Sequence, residues 1–190
     1  MQYDKLLSNE LWGEGMLHIA RSLRELHFGK LMEVYIEGNM ENAQEFWPDL
    51  PAGQKLLRAE QQFYQYLQEG FFSVPGAVYA IWQEGGNYVS ALRLEPYKDG
   101  WLLEALETAP GHRRRGYAGR LITEAVSKMG LHKVYSHVGK KNAASLAVHI
   151  SCGFAKILDY AAYIDGSVDH RAVTLCLEQK QNEAEKWNAK

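Results

Sequence analysis

The most constraining feature of this 190-residue sequence is a series of three short apolar segments in its middle. Residues 77–84, 88–95 and 101–108 are rich in Val, Ile, Leu, Tyr and Trp, and most of these residue types favour strands. Gly85-Gly86-Asn87 and Lys98-Asp99-Gly100 separate the segments, and such turn residues are typical of β-hairpins. The sequence therefore predicts a meander of three antiparallel strands.

Two helices are predicted ahead of the meander. From residue 28 the apolar side chains recur every three or four residues, which indicates an amphipathic helix that ends near Gly38. A second stripe of this kind occupies residues 56–72. The aromatic side chains of both stripes are interpreted as core, with the alternative that some of them line a substrate cleft. Residues 39–53 are predicted to be a loop between the helices, and residues 16–23 a first strand.

A basic loop follows the last strand of the meander and leads into a predicted helix over residues 117–129. The loop contains three consecutive arginines and then Gly116, which allows a tight turn because it lacks a Cβ. Backbone N–H groups at a helix N-terminus bind anions, so this loop suits a phosphate or pyrophosphate. The alternative is an ordinary connection whose arginines are solvated.

The C-terminal part of the chain adds strands on both sides of a short helix. Residues 132–138 are predicted to form a strand parallel to the last strand of the meander, because a helix connects the two. Residues 142–152 form a predicted helix that Gly153 ends. Residues 154–164 and 171–177 then form a predicted hairpin.

This order of elements, together with two motifs, resembles the GCN5-related N-acetyltransferase (GNAT) family. Arg113-x-x-Gly116-x-Ala118 matches the family's Gln/Arg-x-x-Gly-x-Gly/Ala loop, which binds pyrophosphate. Asn142-x-x-Ser145-x-x-x-His149-x-x-x-Gly153-Phe154 is similar to the family's Asn-x-x-Ala/Ser-x-x-x-Tyr-x-x-x-Gly-Phe helix at the same spacing. The resemblance covers most of the chain.

The resemblance implies a mixed α/β fold of the acyl-CoA N-acyltransferase type, in which an antiparallel meander is followed by a parallel strand pair that forms a V-shaped cleft. It implies that residues 100–155 bind acetyl-CoA. A single domain is expected over residues 1–190, because the sequence has no internal repeat or linker, and residues 1–75 are expected to form the acceptor side. Acetyl-CoA is then the co-substrate, and the partner is an amine acceptor. Transfer to the amine is direct, without a covalent enzyme intermediate.

The coenzyme is implied to contact the last meander strand, the basic loop and the Asn142 helix. Backbone groups of residues 106–108 would pair with the pantetheine arm, and N–H groups of residues 114–119 would hold the pyrophosphate. Several N–H donors at a helix N-terminus favour a dianion on physical grounds as well. The residues expected to bind the coenzyme are Leu106, Thr108, Arg113, Arg114, Arg115, Gly116, Tyr117, Ala118, Gly119, Asn142 and Ser145.

Two residues are the favoured catalytic candidates. Glu107 is the preferred base, with Glu95 and Glu104 as alternatives, and each of them can instead be a surface carboxylate. Strand alternation places Glu104 and Glu107 on opposite faces unless a bulge intervenes. His149 stands where the family commonly has a tyrosine that protonates the departing thiolate. It can serve as that acid, or it can contact the coenzyme without proton transfer.

Composition excludes several other classes of protein. The net charge of -2 gives no overall basic field, so neither nucleic acid nor an anionic membrane is an expected partner. The sequence shows neither a signal peptide nor a membrane span, so a cytoplasmic protein is expected. Cys152 and Cys176 have no metal-binding spacing, and no metal site is expected. The alternative function is a non-catalytic acyl-CoA-binding sensor, and an exposed strand in the terminal hairpin would allow a homodimer.

Overall fold

The computed structural model describes residues 15–179 and has a seven-stranded sheet at its centre. In chain order the strands are β1 (Met16–Ala20), β2 (Val78–Glu84), β3 (Asn87–Tyr97), β4 (Gly100–Thr108), β5 (Lys133–Gly139), β6 (Ala155–Leu158), β7 (Ala161–Ala162), β8 (Val168–Asp169) and β9 (Ala172–Glu178). The large sheet has the order β1-β2-β3-β4-β5-β9-β6, and β7 pairs with β8. Within it β4 and β5 run parallel, next to the antiparallel meander β2-β3-β4. The predicted mixed α/β fold is confirmed.

Four α-helices of the described residues pack on the two faces of the sheet. They are α1 (Phe28–Phe46), α2 (Ala52–Gln65), α3 (Tyr117–Lys128) and α4 (Ala143–Ser151). Successive residues of β2 point to opposite faces, so Val78 and Ala80 share a core with Leu121 of α3. Tyr79 shares a second core with Tyr35 of α1. Helices α3 and α1 therefore lie on opposite sides of the sheet.

The first helix is longer than predicted. It continues through Gly38 to Phe46, so the first part of the predicted loop at residues 39–53 is wrong. The buried stripe of α1 includes Asn39 and Ala43, one and two turns beyond Tyr35. The amide of Asn39 donates to the sulfur of Met32 at 3.4 Å, which satisfies a polar group at a core position. The buried stripe of α1 thus continues through a polar residue, so the spacing of apolar residues alone does not show how far the helix extends.

The terminal hairpin is confirmed, but it is interrupted. β6 pairs with β9, and the tip forms the separate pair β7–β8. Because β9 lies between β5 and β6, β6 is at the edge of the sheet, where an exposed strand was predicted. The homodimer stays a prediction. Among residues 15–179, every helix is too short or too polar to cross a membrane.

Candidate functional site

The two parallel strands separate after a short paired stretch. Trp101, Leu102 and Leu103 of β4 lie opposite Val134, Tyr135 and Ser136 of β5, and the recorded pairing of the strands stops there. β4 nevertheless continues to Thr108 and β5 to Gly139. The strands therefore diverge toward their carboxyl ends, and this V-shaped opening is the candidate functional site.

A bulge in β4 coincides with the separation. Ala91 and Arg93 of β3 lie opposite Glu107 and Glu104 of β4, so β4 has one residue more than β3 over this stretch. Ala105 lies in the bulge with φ of 48°, a left-handed conformation that is unusual for a residue with a Cβ. Helix α1 helps to hold the strand in this shape, because the hydroxyl of Tyr35 donates to the carbonyl oxygen of Ala105.

The bulge places Glu104 and Glu107 on the same face of the sheet. Their partners Ala91 and Arg93 are two residues apart on β3, and residues two apart share a face. This is the face toward α1, because Ala91 belongs to the core that α1 forms with the sheet. Opposite faces were predicted only for a strand without a bulge, and β4 has a bulge at this point.

Each of the two carboxylates has an arginine neighbour. Glu104 lies 3.6 Å from the guanidinium of Arg93, and Glu107 lies 3.5 Å from that of Arg113. Burial raises the pKa of Glu107. Glu95 is 8% exposed, and burial together with the nearby Glu104 raises the pKa of its carboxyl group. The face toward α1 therefore carries several carboxylates and two arginines.

A cleft of about 330 Å³ runs between the end of β4, the basic loop and α4. It is lined by Leu106, Glu107, Thr108, His112, Arg113, Arg114, Gly116, Tyr117, Ala118, Gly119, Asn142, Ala144, Ser145 and Val148. These include every residue expected to bind the coenzyme except Arg115. His112, Ala144 and Val148 were not predicted. Ala144 and Val148 are four residues apart on α4, so helical periodicity could have identified them.

The basic loop has the geometry of an anion site. Gly116 precedes α3 with φ of 79°, and its carbonyl accepts the N–H of Arg120 at 3.0 Å, which closes the first helical turn. The backbone N–H groups of the residues before Arg120 have no partner within the helix, and they point out of its N-terminus, where the helix dipole is positive. Arg114 also has a positive φ, of 61°. Its side chain and that of Arg115 are exposed.

Arg113 turns back from the loop onto the cleft wall. Its Nε donates to the carbonyl oxygen of Thr108 at 3.1 Å. Its guanidinium lies 2.5 Å from Glu37 of α1, in addition to its contact with Glu107. Arg113 therefore ties the loop to β4 and α1.

The opposite wall of the cleft is the N-terminal turn of α4. The side chain of Asn142 accepts the backbone N–H of Ser145 at 3.0 Å, as expected of a helix cap. At the other end of α4, the thiol of Cys152 donates to the carbonyl of Gly119 at 3.6 Å. The contact of Cys152 with Gly119 joins the end of α4 to the first turn of α3.

A second cavity of about 190 Å³ occupies the V itself. It is lined by Leu103, Glu104, Ala105, Leu106, Ser136, His137, Val138, Gly139, Asn142, Ser145 and His149. Leu106, Asn142 and Ser145 line both cavities, so the two are continuous along α4. Glu104 and His149 border this cavity, whereas Glu107 borders the larger cleft.

His149 is buried, with 1% of its surface exposed. Its Nδ1 lies 2.8 Å from the carbonyl oxygen of Ser145, and because a carbonyl only accepts, Nδ1 must carry the proton. Nε2 has no hydrogen-bond partner among residues 15–179. Burial lowers the pKa of His149, so the neutral ring presents a lone pair at Nε2.

Comparisons with known proteins agree with this geometry. Residues 37–154, more than half of the chain, match the model of the acetyltransferase (GNAT) family. No curated protein sequence matches the chain.

Solved structures share the fold at low sequence identity. The ribosomal-protein-S18-alanine N-acetyltransferase of Escherichia coli is 19% identical with a TM-score of 0.54, over 88% of this chain and 97% of that one. The PaiA N-acetyltransferase of Thermoplasma acidophilum, in complex with coenzyme A, is 12% identical with a TM-score of 0.56, over 86% and 99%. The spermidine N-acetyltransferase of Vibrio cholerae, in complex with CoA and spermine, is 16% identical with a TM-score of 0.54, over 87% and 96%.

Proposed function

The chain belongs to the acetyltransferase (GNAT) family, and we propose that it moves an acetyl group from acetyl-CoA to a primary amine of a small molecule or peptide. The observation that carries this proposal is the cleft in which the two family motifs meet, at the point where β4 and β5 part. The names of two structural neighbours support an amine as the acceptor, since one refers to an alanine of a ribosomal protein and the other to spermidine.

In this proposal the basic loop binds the pyrophosphate of the coenzyme. The N–H groups at the start of α3 point at the anion, and the exposed side chains of Arg114 and Arg115 add positive charge. The CoA complexes of two structural neighbours support a CoA-based co-substrate. Arg113 contacts Thr108 of β4 and Glu37 of α1, and so holds the loop against both elements.

The pantetheine arm is proposed to lie along the part of β4 that has left β5. The recorded pairing with β5 ends at Leu103, so the backbone between Glu104 and Thr108 has an edge toward the V. Backbone N–H and C=O groups at such an edge pair readily with an extended ligand. Leu106 lines both cavities, which puts this segment on a path from the loop to the acetyl end.

His149 is proposed to act on protons at the acetyl end of the cleft. In the tautomer fixed by Ser145, its Nε2 has no proton to give. It can instead take a proton from the attacking nitrogen and pass it to the departing sulfur. The lowered pKa of the buried ring favours return to the neutral form after each transfer.

Glu107 stays a prediction as the base. Its contact with Arg113 supports a second role, that of holding the basic loop. Because Nε2 of His149 carries no proton, the ring cannot act directly as an acid. This favours the alternative function, a sensor that binds an acyl-CoA without turnover. Release of free CoA thiol in the presence of amines separates the enzyme from the sensor, because only the enzyme produces it.

Coenzyme binding is tested by calorimetric titration of the full chain with acetyl-CoA. We expect saturable binding by the wild type and a large loss of affinity in Gly116→Val, because a β-branched residue is strained at a φ of 79°. Gly53→Ala at the start of α2, where a Cβ meets nothing within 4 Å, is the matched control and should bind normally. Absence of binding by the wild type would refute the proposed function.

A further inference from the structure

His137 on β5 also borders the V-shaped cavity, together with Glu104 and His149. Its ring is half-buried and lies edge-on to two tyrosines. The ring centroids are 5.7 Å apart for Tyr97 and 5.1 Å apart for Tyr163. These contacts fix the plane of the imidazole ring, but they do not determine which of its nitrogens carries the proton.

The position of that proton follows from Thr174 of β9. The hydroxyl of Thr174, which is fully buried, donates its one hydrogen to the carbonyl oxygen of Tyr160 at 2.7 Å. Thr174 Oγ1 also lies 3.2 Å from Nδ1 of His137, and with its hydrogen already used it can only accept from Nδ1. Nδ1 therefore carries the proton of the neutral ring. Nε2 has a lone pair and no hydrogen-bond partner among residues 15–179.

The surroundings keep the ring neutral. Burial lowers the pKa of His137, a hydrogen bond of the charged ring with the backbone of Ala162 acts in the opposite direction, and the positive charge of Lys98 lowers the pKa again, so that it lies below the ordinary value. The titratable groups near the ring include the hydroxyls of Tyr97 and Tyr163, whose rings pack against it. They also include the carboxylate of Glu104, which lines the same cavity. Near neutral pH the ring is thus a free base.

Three carboxylates of this region have arginine partners. Glu107 and Glu37 share the guanidinium of Arg113, and Glu104 lies beside Arg93. These carboxylates already have arginine partners, whereas Nε2 of His137 is buried without a hydrogen-bond partner among the described residues.

We propose that His137 is the base of the reaction and that Thr174 is a positioning residue that keeps Nε2 free to accept. The assignment rests on the proposed N-acetyltransferase function. The acceptor enters as an ammonium ion, and one N–H bond breaks as its proton passes to Nε2 while the electron pair stays on nitrogen. That pair forms the C–N bond to the thioester carbon, the C–S bond breaks, and sulfur leaves with its electron pair. A second proton of the nitrogen goes to sulfur, and His137 returns its proton to solvent.

The test measures thiol release with spermidine, an alanine-initiated peptide and lysine as acceptors, over a range of pH. We expect His137→Gln to keep acetyl-CoA affinity, to lower kcat by about a hundredfold or more, and to lose the acid limb of the kcat/KM profile. Thr174→Val should lower kcat in the same direction, whereas Thr174→Ser, which keeps the hydroxyl, should restore it. A purely structural role of Thr174 would not make the pH profile depend on the hydroxyl.

Nitrogen NMR of histidine-labelled wild-type protein gives a second readout, since it reports the tautomer of His137 without any variant. We expect protonated Nδ1 and unprotonated Nε2 at neutral pH. A proton on Nε2, or a His137→Gln enzyme with wild-type kcat and pH profile, would overturn the assignment alone. A wild type that binds no acetyl-CoA and releases no thiol would overturn the proposed function, and this assignment with it.

Discussion

The hydroxyl of Tyr35 donates a hydrogen bond of 2.6 Å to the carbonyl oxygen of Ala105, the residue in the bulge of β4. Burial raises the pKa of this hydroxyl well above the ordinary tyrosine value, so it remains a donor at physiological pH. The bond joins α1 to the strand segment that opens the V. It therefore connects α1 to the shape of the cleft that is proposed to bind the coenzyme.

Removing this hydroxyl should disturb the cleft. We expect Tyr35→Phe to lower the free energy of unfolding by about 0.5–1.5 kcal/mol and to raise the KM for acetyl-CoA several-fold, because the Ala105 carbonyl loses its partner. Urea unfolding and steady-state kinetics measure the two effects.

The matched control for Tyr35 is Tyr88→Phe, which removes a hydroxyl that accepts the backbone N–H of His27 at 3.1 Å, away from β4. This variant should lose similar stability and keep its KM. Equal KM values in the two variants would show that the bulge does not depend on Tyr35.

Arg113 and Arg115 of the basic loop should differ in their effect on coenzyme affinity. Arg113 contacts Thr108, Glu107 and Glu37, whereas Arg115 is exposed and does not line the cleft. We expect Arg113→Gln to raise the Kd for acetyl-CoA more than Arg115→Gln, since the first change also releases two carboxylates beside the cleft. Calorimetry at two salt concentrations checks this, because an effect of Arg115 through long-range charge fades in high salt. A larger effect of Arg115→Gln would contradict the proposed role of Arg113.

Asn142 caps α4 and also lines both cavities. Two substitutions separate its effect on stability from its effect on coenzyme binding. Asn142→Ala removes the cap and should cost about 1 kcal/mol of stability. Asn142→Asp keeps a cap acceptor and stability, but it adds a negative charge to a cleft proposed to bind pyrophosphate. The aspartate variant should therefore be the more stable and the weaker binder. Thermal unfolding with and without CoA measures both, and unchanged CoA affinity in Asn142→Asp would place the phosphates elsewhere.

Stability should fall in mild acid because of His149. Its pKa in the folded protein lies below the ordinary value of 6.5, so below pH 6.5 the unfolded chain binds the proton more readily than the folded one. The contribution is therefore present above pH 6.5 and is lost as the pH falls through the folded pKa. Melting temperatures from pH 8 to pH 5 should decline less steeply in His149→Gln than in the wild type. Parallel curves would mean that His149 is not buried as a neutral group.

Local patterns were sufficient to predict the meander, the basic loop and the α4 motif. Turn residues mark the ends of β2 and β3, and the spacing of Asn142, Ser145 and His149 is contained within one helix. Such signals depend on residues close in sequence. The coenzyme-binding residues were implied by the family resemblance, and they lie around one cleft with Arg115 as the exception.

Contacts between distant residues account for what could not be predicted. The bulge at Ala105 is held by Tyr35, which is 70 positions away, and no residue of β4 itself requires a positive φ. The tautomer of His137 depends on Thr174, 37 positions away. The extension of α1 past Gly38 is a local feature, in which the buried Asn39 donates to the sulfur of Met32 in the same helix. The contacts of Tyr35 and Thr174, by contrast, are tertiary contacts that override a local preference.

The central claim is that the protein acetylates an amine with acetyl-CoA as donor. The most direct measurement is mass spectrometry of the acceptor after incubation of the wild-type chain with acetyl-CoA and the three amines named above. We predict that at least one of them gains a single acetyl group, with an equal amount of free CoA thiol. Saturable binding of acetyl-CoA with neither an acetylated amine nor released thiol would contradict the claim and favour the sensor.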